Sequence, residues 1–394
     1  MGTVRLQSGR VKPVWAGHPW IYAQAIAEIE GAPGPGDVVS VVDPGGRFLG
    51  RGFYSPKSAI PVRIITRDPG ETLDELAIAK RIESAQKFRT ELGLPSTTTS
   101  GYRLVHAEGD SLPGLIIDVF GDAVVVQLLT AGMKRRDASI LAHIARITGA
   151  KTVIEAAASM KQSEGFETEW QIVRGADINA LRFTESEFEF DIPTSLTQKT
   201  GYYFDQRETR ARVEGLAHGR RVLDAFAYLG GMGLAAARGG AESVVSVDSS
   251  ASAIAAGSAI ARHHGLDVSY RREDVKKFLP DLFNQSERFD LVVIDPPKLV
   301  PTKRHREAGL KAYSRLNQNA MKLVEDGGVF VSCSCSGALS SDDLLGVVAE
   351  SARRTGRRAD VFHIGGASPD HPSPAAFRQG RYLKTVFARL TKDA

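Results

Sequence analysis

The chain has 394 residues, of which 42% are hydrophobic and 24% are charged, and its formal net charge is +4. This length and composition predict two or three folded domains and exclude an intrinsically disordered chain. No apolar run approaches the roughly 20 residues of a transmembrane helix, and residues 1–14 lack the apolar stretch of a secretory signal. We therefore predict no membrane association.

The cysteine content indicates a reducing environment. Cys333 and Cys335 are the only cysteines of the chain, which excludes a disulfide framework and is typical of a cytoplasmic protein. A structural zinc site needs about four ligands, no second cysteine pair accompanies these two, and a metal half-site at Cys333 and Cys335 is a weaker alternative that His or carboxylates would have to complete. We predict a cytoplasmic protein without a metal site.

Residues 1–70 are rich in glycine, proline and short β-branched runs. Turn signals such as Asp43-Pro44-Gly45-Gly46 separate three strand-like runs, at residues 38–42, 48–52 and 60–66. Short strands at this spacing predict a small β-barrel. The turn sequence Asp68-Pro69-Gly70 marks its end.

Residues 71–180 predict a compact α+β domain. Apolar positions recur at helical spacing between Leu73 and Leu92, which indicates an amphipathic helix. The runs that follow favour two strands, a helix and a third strand, at residues 115–119, 123–129, 136–148 and 152–156.

From about residue 181 onward, strand and helix patterns alternate. Apolar strand-like runs at 221–225, 244–248 and 291–295 are each followed by a segment with helical spacing. Such alternation is typical of an α/β domain with a doubly wound parallel sheet. We predict this architecture for residues 181–394.

Two acidic residues at strand ends predict a nucleotide-like cofactor. The first strand reaches Asp224 before a glycine-rich turn, Gly230-Gly231, that opens a helix, and glycine lets a backbone approach a ligand closely. Asp248 ends the next strand 24 residues later, near the roughly 20-residue offset of a ribose-binding carboxylate. An adenosine-type cofactor is favoured over the alternative that the glycines only shape a tight turn. The G-x-G-x-x-G consensus is absent, which argues against NAD.

Two further motifs carry candidate catalytic groups. Asp295-Pro296-Pro297-Lys298 follows an apolar strand, and its prolines fix a rigid corner that projects Asp295 at the ligand-binding edge of such a sheet. A simple rigid turn is the less favoured alternative. Cys333 and Cys335 share one face of a later strand. Cys333 fits a small buried hydrophobe, whereas Cys335 at the strand end is the candidate nucleophile.

Charged segments flank these motifs. Residues 198–207 interleave aromatic side chains with Lys, Asp and Arg, which suits a surface that stacks a base, and an amphipathic helix over the sheet edge is an equally good interpretation. Residues 298–315 contain six Lys or Arg. A charge run is usually a solvated face, but a basic stretch directly after Asp295 would meet a phosphate backbone.

Together these motifs resemble those of the bacterial S-adenosylmethionine-dependent methyltransferases that form 5-methylcytosine in 23S, the large-subunit ribosomal RNA. The resemblance spans nearly the whole chain. It is most specific in the combination of Lys199-Thr200-Gly201 and Asp205-Gln206-Arg207 with Asp295-Pro296-Pro297-Lys298 and Ser334-Cys335-Ser336-Gly337. Residues 17–22 are similar to the opening of the family's PUA domain, a small RNA-binding β-barrel, and residues 370–372 and 382–384 are also similar.

The resemblance implies a chain of three parts. These are a PUA-like barrel over residues 1–70, a central α+β domain over 71–180 and a class I, Rossmann-like methyltransferase domain over 181–394. The seven-stranded sheet of the last domain would end in an antiparallel strand. The implied cofactor is S-adenosyl-L-methionine and the implied partner is large-subunit ribosomal RNA. The sequence leaves open whether the chain forms a homodimer.

The resemblance also implies roles for individual residues. Cys335 would add to cytosine C6, Asp295 would hold the edge of the base, and Lys298 would favour the thiolate. Asp295 is followed by Pro-Pro-Lys rather than Pro-Cys, which implies a mechanism with one cysteine. The residues implied to hold the cofactor are Lys199, Thr200, Phe204, Asp224, Phe226, Tyr228, Gly230, Gly231, Asp248, Ser249, Asp274, Asp295 and Pro296.

Three other functions stay open at this point. The chain could methylate another base position of RNA without using Cys335, although adenine N6 is disfavoured because Lys298, not an aromatic residue, follows the Asp-Pro-Pro corner. It could be an RNA-binding assembly factor without turnover, which the intact Asp248, Asp295 and Cys335 argue against. A small-molecule methyltransferase would leave the N-terminal barrel unexplained.

Overall fold

The computed structural model describes residues 2–196 and 200–393. Contacts divide the chain into two compact units: Met1–Phe204 with Pro369–Gly380, and Asp205–Ser368 with Arg381–Ala394. A short segment near the C-terminus therefore belongs to the first unit. The finer division at residues 70 and 180 stays a prediction. Within the described residues, no helix is long and apolar enough to cross a membrane.

The first unit opens with a six-stranded sheet. Its elements are β1 (Gly2–Leu6), α1 (Lys12–Trp15), β2 (Trp20–Ile21), β3 (Ile26–Glu30), β4 (Val38–Val42), β5 (Phe48–Tyr54) and β6 (Val62–Thr66). The strand order is β2-β6-β5-β4-β1-β3, with β1 and β4 parallel and the other pairs antiparallel. Val39 and Val41 of β4 point into the same buried core, because alternate residues of a strand face one side.

A second sheet and its helices confirm the predicted α+β composition. The elements are α2 (Glu75–Glu91), β7 (Gly101–His106), β8 (Leu115–Phe120), β9 (Ala123–Leu128), α3 (Ala131–Lys134), α4 (Asp137–Thr148), β10 (Thr152–Glu155), β11 (Ala158–Ser159), β12 (Glu167–Thr168), β13 (Gln171–Arg174), β14 (Ala180–Glu185) and β15 (Phe188–Pro193). The sheet has the order β13-β10-β9-β8-β7, while β11–β12 and β14–β15 are separate antiparallel pairs. Helix α2 starts at Glu75 because the Asp74 side chain accepts a hydrogen bond from the Ala77 N–H.

The second unit is a three-layer α/β domain. Its elements are α5 (Arg207–Leu216), β16 (Arg221–Ala225), α6 (Gly231–Arg238), β17 (Ser243–Asp248), α7 (Ala251–His263), β18 (Ser269–Arg272), α8 (Val275–Asn284), β19 (Phe289–Ile294), α9 (Arg306–Met321), β20 (Val324–Ser334), α10 (Ser341–Arg354), β21 (Arg357–Gly366) and β22 (Lys384–Lys392). The seven strands have the order β18-β17-β16-β19-β20-β22-β21. Six of these strands run in the same direction and β22 runs opposite to them, as the resemblance implied.

Both faces of this sheet are buried. Leu223 and Val292 lie in one hydrophobic core, whereas Val222 and Val293 lie in the other, so the central strands are apolar throughout. Polar residues such as Asp248 and Asp295 lie at the carboxyl ends of these strands. Because β16, β17, β19 and β20 are parallel, their carboxyl ends meet at one edge of the sheet.

Candidate active site

The turn after β16 has an unusual backbone. Phe226 and Tyr228 have φ angles of +64° and +53°, and Gly230 follows at +79°. Positive φ at non-glycine residues is uncommon, and such strained residues are one feature that clusters at active sites. A Cβ at Gly230 would lie 2.6 Å from the Tyr270 hydroxyl oxygen, so only glycine fits there. Gly231 then begins α6.

Asp248 joins this turn to the end of β17. One carboxylate oxygen accepts a hydrogen bond from the Tyr228 N–H at 2.9 Å, and the other accepts one from the Ser250 N–H at 2.9 Å. Each oxygen keeps a further lone pair, and the side chain is only half-buried. The carboxylate is therefore oriented and still able to accept hydrogen bonds from a ligand hydroxyl.

Asp224 lies beneath the turn rather than beside it. The residue is 1% exposed, and its carboxylate accepts a hydrogen bond from the Gly233 N–H of α6 at 2.9 Å. Burial raises the pKa of Asp224 to about 7, because a carboxylate loses hydration in the interior. The position of Asp224 stabilises the start of α6, and its predicted contact with a cofactor stays a prediction.

We expect the buried Asp224 to make the second unit less stable as the pH rises from about 4 to about 7. In this interval the folded state binds more protons than the unfolded chain, so rising pH favours unfolding. Asp224→Asn should remove the decline and keep an oxygen that can accept from Gly233. Hydrogen-exchange protection of segment 221–238 at pH 5 and pH 7.5 measures the effect, and an equal loss of protection in both proteins would contradict it.

Asp295 and Gln206 form a polar pair at the end of β19. The Gln206 side-chain amide donates to the Asp295 carboxylate at 2.8 Å, and the Asp295 N–H donates to the Ala225 carbonyl at 3.2 Å. Asp295 is half-buried, Pro296 is buried and Lys298 is exposed. Gln206 thus helps to orient Asp295, a contact between residues 89 positions apart that the sequence motif alone does not predict.

The two cysteines have different surroundings. Cys333 is fully buried in β20, and burial raises the pKa of its thiol well above the usual range. Cys335 follows the end of β20 and is half-exposed. Cys333 is therefore packed in the core, and the reactivity of Cys335 stays a prediction.

A hydroxyl cluster holds the strand end that carries Cys335. The buried Tyr313 hydroxyl donates to Ser334 Oγ at 2.9 Å and lies 3.3 Å from Ser336 Oγ. Ser336 Oγ also accepts from the Val300 N–H at 3.2 Å. The cluster therefore connects the Cys335 segment to the loop that follows Asp295.

The remaining predicted cofactor residues belong to both units. Ser249 is exposed next to Asp248, and Asp274 is exposed with its carboxylate accepting from the Lys276 N–H at the start of α8. Thr200 and Phe204 are buried in the first unit, where the Phe204 ring packs against Phe120 with ring centroids 5.1 Å apart. Lys199 lies outside the described residues. The roles of these residues stay predictions.

Comparison with known proteins identifies the family. Residues 127–372 match the model of S-adenosylmethionine-dependent methyltransferases, and residues 4–67 match that of a PUA-like domain. The chain belongs to this methyltransferase family. The enzyme is 34% identical to the Ribosomal RNA large subunit methyltransferase I of Erwinia tasmaniensis, over 98% of this chain and 100% of that protein. It is also 34% identical to the protein of the same name from Escherichia coli O139:H28, over 98% of each chain.

A solved structure supports the fold of the enzyme. SMU.776, described as a methyltransferase in complex with S-adenosylhomocysteine, superposes with a TM-score of 0.86 at 19% identity, over 99% of this chain and 100% of that chain. The fold class predicted from the sequence is confirmed, with a PUA-like N-terminal domain and a class I methyltransferase sheet. The cofactor is S-adenosyl-L-methionine, and the Asp248 carboxylate beside the glycine turn is the type of acceptor that its ribose hydroxyls need.

Proposed function

We propose that the enzyme methylates C5 of cytosine in 23S ribosomal RNA, with Cys335 as the nucleophile. The observation that carries the proposal is a half-exposed cysteine that directly follows β20, the strand paired in parallel with β19, after which Asp295 lies at the same carboxyl edge of the sheet as Asp248. Methylation at an exocyclic amine or a ring nitrogen needs no thiol. Cytosine C5 does need one, because this carbon is a poor nucleophile until a group adds to C6.

The proposed reaction assigns a proton and a bond to each step. The Cys335 thiolate adds to C6 of the cytosine, and the displaced electron pair makes C5 able to attack an electrophile. S-adenosyl-L-methionine supplies the methyl group when bound. A base then removes the C5 proton, and the returning electron pair expels the Cys335 thiolate, which is regenerated. The target base must be unstacked to reach the thiol.

Asp295 is proposed to hold the base while the thiolate adds. In its protonated form, Asp295 would accept a hydrogen bond from the cytosine N4 amine and donate its proton to N3, which stabilises the negative charge that thiolate addition places on the ring. Gln206 keeps one carboxylate oxygen of Asp295 fixed at 2.8 Å. The exposed Lys298 is proposed to add positive charge at the same edge, which favours an incoming anionic substrate.

Two observations support ribosomal RNA as the substrate: the names of the curated relatives and the exposed positive charges that follow Asp295. The curated relatives that cover 98% of this chain are named for large-subunit ribosomal RNA. After the Asp295 corner, Lys298, Arg304 and Arg315 are exposed, whereas Arg306 and Lys311 are paired with Asp343 and Glu307. Exposed cations of this kind contact phosphates and set the register of a nucleic acid. We also propose a cytoplasmic location, and the homodimer stays open.

The cofactor contact proposed for Asp248 predicts a binding defect. Asp248→Ala should weaken S-adenosyl-L-methionine binding at least about tenfold, or about 1.4 kcal/mol, because hydrogen bonds to a charged acceptor are lost. Isothermal titration of the full-length protein measures this change. Asp267→Ala, at an exposed position before β18, is the matched control and should bind within twofold of wild type. Equal affinities of both variants would remove Asp248 from the proposed site.

The proposed function is tested by identifying the product. Wild-type enzyme is incubated with methyl-labelled S-adenosyl-L-methionine and protein-free 23S ribosomal RNA, and the digested nucleosides are separated by mass spectrometry. Labelled 5-methylcytidine is the expected product. A different methylated nucleoside would retain the enzyme class and overturn the C5 assignment. An absence of transfer to free RNA and to isolated large-subunit particles would support the binding-only alternative and contradict the proposal.

A further inference from the structure

A buried lysine lies beside the Cys335 segment. Lys384 begins β22 and pairs in register with Ser334, the residue before Cys335. It is 3% exposed, and its ammonium donates to the carbonyls of Ser336 and Leu339 at 2.6 and 2.8 Å. Two of the three donors of the ammonium thus hold the chain directly after Cys335.

Burial and three neighbouring charged groups act on the pKa of Lys384. Burial lowers the pKa of Lys384 to about 8, while the thiolate of Cys335 and the carboxylate of Asp343 act to raise it and Lys298 acts to lower it. Cys335 in turn interacts electrostatically with Tyr313 and with the buried Cys333. Charge coupling between two groups is reciprocal, so an ammonium stabilised by a thiolate stabilises that thiolate equally.

We propose that Lys384 is a positioning residue that holds the Cys335 segment through two carbonyls and stabilises the Cys335 thiolate with its buried positive charge. The inference rests on the role proposed for Cys335 and adds a second residue, Lys384, that favours the thiolate form of Cys335. Two carbonyl bonds fix the ammonium against the residue that follows Cys335, and low exposure limits the screening of its charge by solvent. The exposed Lys298 has neither property, so the function first expected of Lys298 moves to Lys384.

The proposal is tested by the pH dependence of thiol alkylation. Full-length protein is treated with iodoacetamide between pH 6 and pH 10, and modification of Cys335 is followed by mass spectrometry, with the buried Cys333 as an internal reference. In Lys384→Met we expect the alkylation rate of Cys335 at pH 7 to fall about tenfold, with an unchanged plateau at high pH. Below the midpoint of the titration, the thiolate fraction falls tenfold when that midpoint rises by about one pH unit. Lys384→Arg should stay within about threefold of wild type, and Lys298→Met should do the same.

Three results would overturn the proposal. One is an alkylation profile of Lys384→Met that superposes on wild type. Another is a lower plateau without a shifted midpoint, which would indicate a purely structural role. The third is a larger shift in Lys298→Met than in Lys384→Met, which would return the role to Lys298.

A reciprocal measurement avoids the risk that Lys384→Met fails to fold. Lysine side chains labelled with ¹³C at Cε are titrated by NMR in wild type and in Cys335→Ala, and the Lys384 signal is assigned by its absence in Lys384→Arg. We expect its midpoint to fall in Cys335→Ala, and an unchanged midpoint would contradict the coupling. Neither experiment contains RNA or cofactor. If 5-methylcytidine is not formed, the proposed function is overturned and the coupling between Lys384 and Cys335 is unaffected. If alkylation and NMR show no coupling, the proposal for Lys384 is overturned and the proposed function is unaffected.

Discussion

Replacing Cys335 with alanine is expected to lower the rate of methyl transfer to cytosine C5 at least about a thousandfold, or more than about 4 kcal/mol of transition-state stabilisation. Without the thiolate, C5 keeps its aromatic character and cannot attack a methyl group. The side chain is half-exposed at the strand end, so its removal leaves no buried cavity. Cofactor affinity should therefore stay within about twofold of wild type.

Cys333→Ala is the matched control for this prediction. The buried Cys333 lies two residues before Cys335, within β20, and its loss should cost about 1 kcal/mol of stability with methylation within threefold of wild type. Single-turnover transfer with each variant measures the rates. Full 5-methylcytidine formation by Cys335→Ala, or its loss in Cys333→Ala alone, would contradict the assignment of the nucleophile.

A trapping experiment separates chemistry from substrate binding. RNA that carries 5-fluorocytidine at the target position cannot lose a proton from C5, so the thioether between Cys335 and C6 should persist after methyl transfer. A protein–RNA band on a denaturing gel is expected for wild type and Cys333→Ala, and none for Cys335→Ala. A band of equal intensity in Cys335→Ala would show that another group adds to the base.

The polar ends of the central strands could be predicted because each follows an apolar run. Leu223, Val292 and their neighbours are buried on both faces, which leaves a continuous hydrophobic signal that stops near Asp224, Asp248 and Asp295. The topology then brings those ends together without further information. The burial of Cys333 and the greater exposure of Cys335 could also be predicted, because Cys333 lies within β20 and Cys335 follows its end.

Contacts between distant parts of the chain could not be predicted in this way. Gln206 reaches Asp295 across 89 residues and Lys384 reaches Ser336 across 48, and neither pairing leaves a periodic signal. Asp274 is a different case, since its sequence position suggests a cofactor contact, which stays a prediction, and one oxygen of its carboxylate accepts a hydrogen bond from the Lys276 N–H. Local capping and ligand binding use the same residue types, so sequence alone does not separate them.

Segment 369–380 is the clearest case of a non-local contact. Its Asp370 carbonyl accepts a hydrogen bond from Arg89 of α2, 281 residues earlier, at 2.7 Å. Arg89 is completely buried, and it also donates to the Arg103 carbonyl at 2.9 Å and to both carboxylate oxygens of Asp110. The guanidinium thus satisfies a buried carboxylate and two buried carbonyls within the first unit.

Arg89→Met is therefore expected to destabilise the first unit by about 3–5 kcal/mol, because it leaves the Asp110 carboxylate and two carbonyls without their donor. Trp15, Trp20 and Trp170 all belong to this unit, so urea unfolding followed by tryptophan fluorescence reports on it directly. Arg146→Ala is the matched control in the same unit. Its ion pair with Glu83 is exposed, and its loss should cost less than about 1 kcal/mol.

The double variant Arg89→Met with Asp110→Asn distinguishes the cause of the loss. If the unpaired buried charge of Asp110 dominates, removing that charge should restore about 1–2 kcal/mol relative to Arg89→Met alone. Asp110 also accepts from the His106 N–H at 2.6 Å, which the amide oxygen of asparagine can replace. A cost of Arg89→Met no greater than that of Arg146→Ala would show that the buried network does not hold segment 369–380 in the first unit.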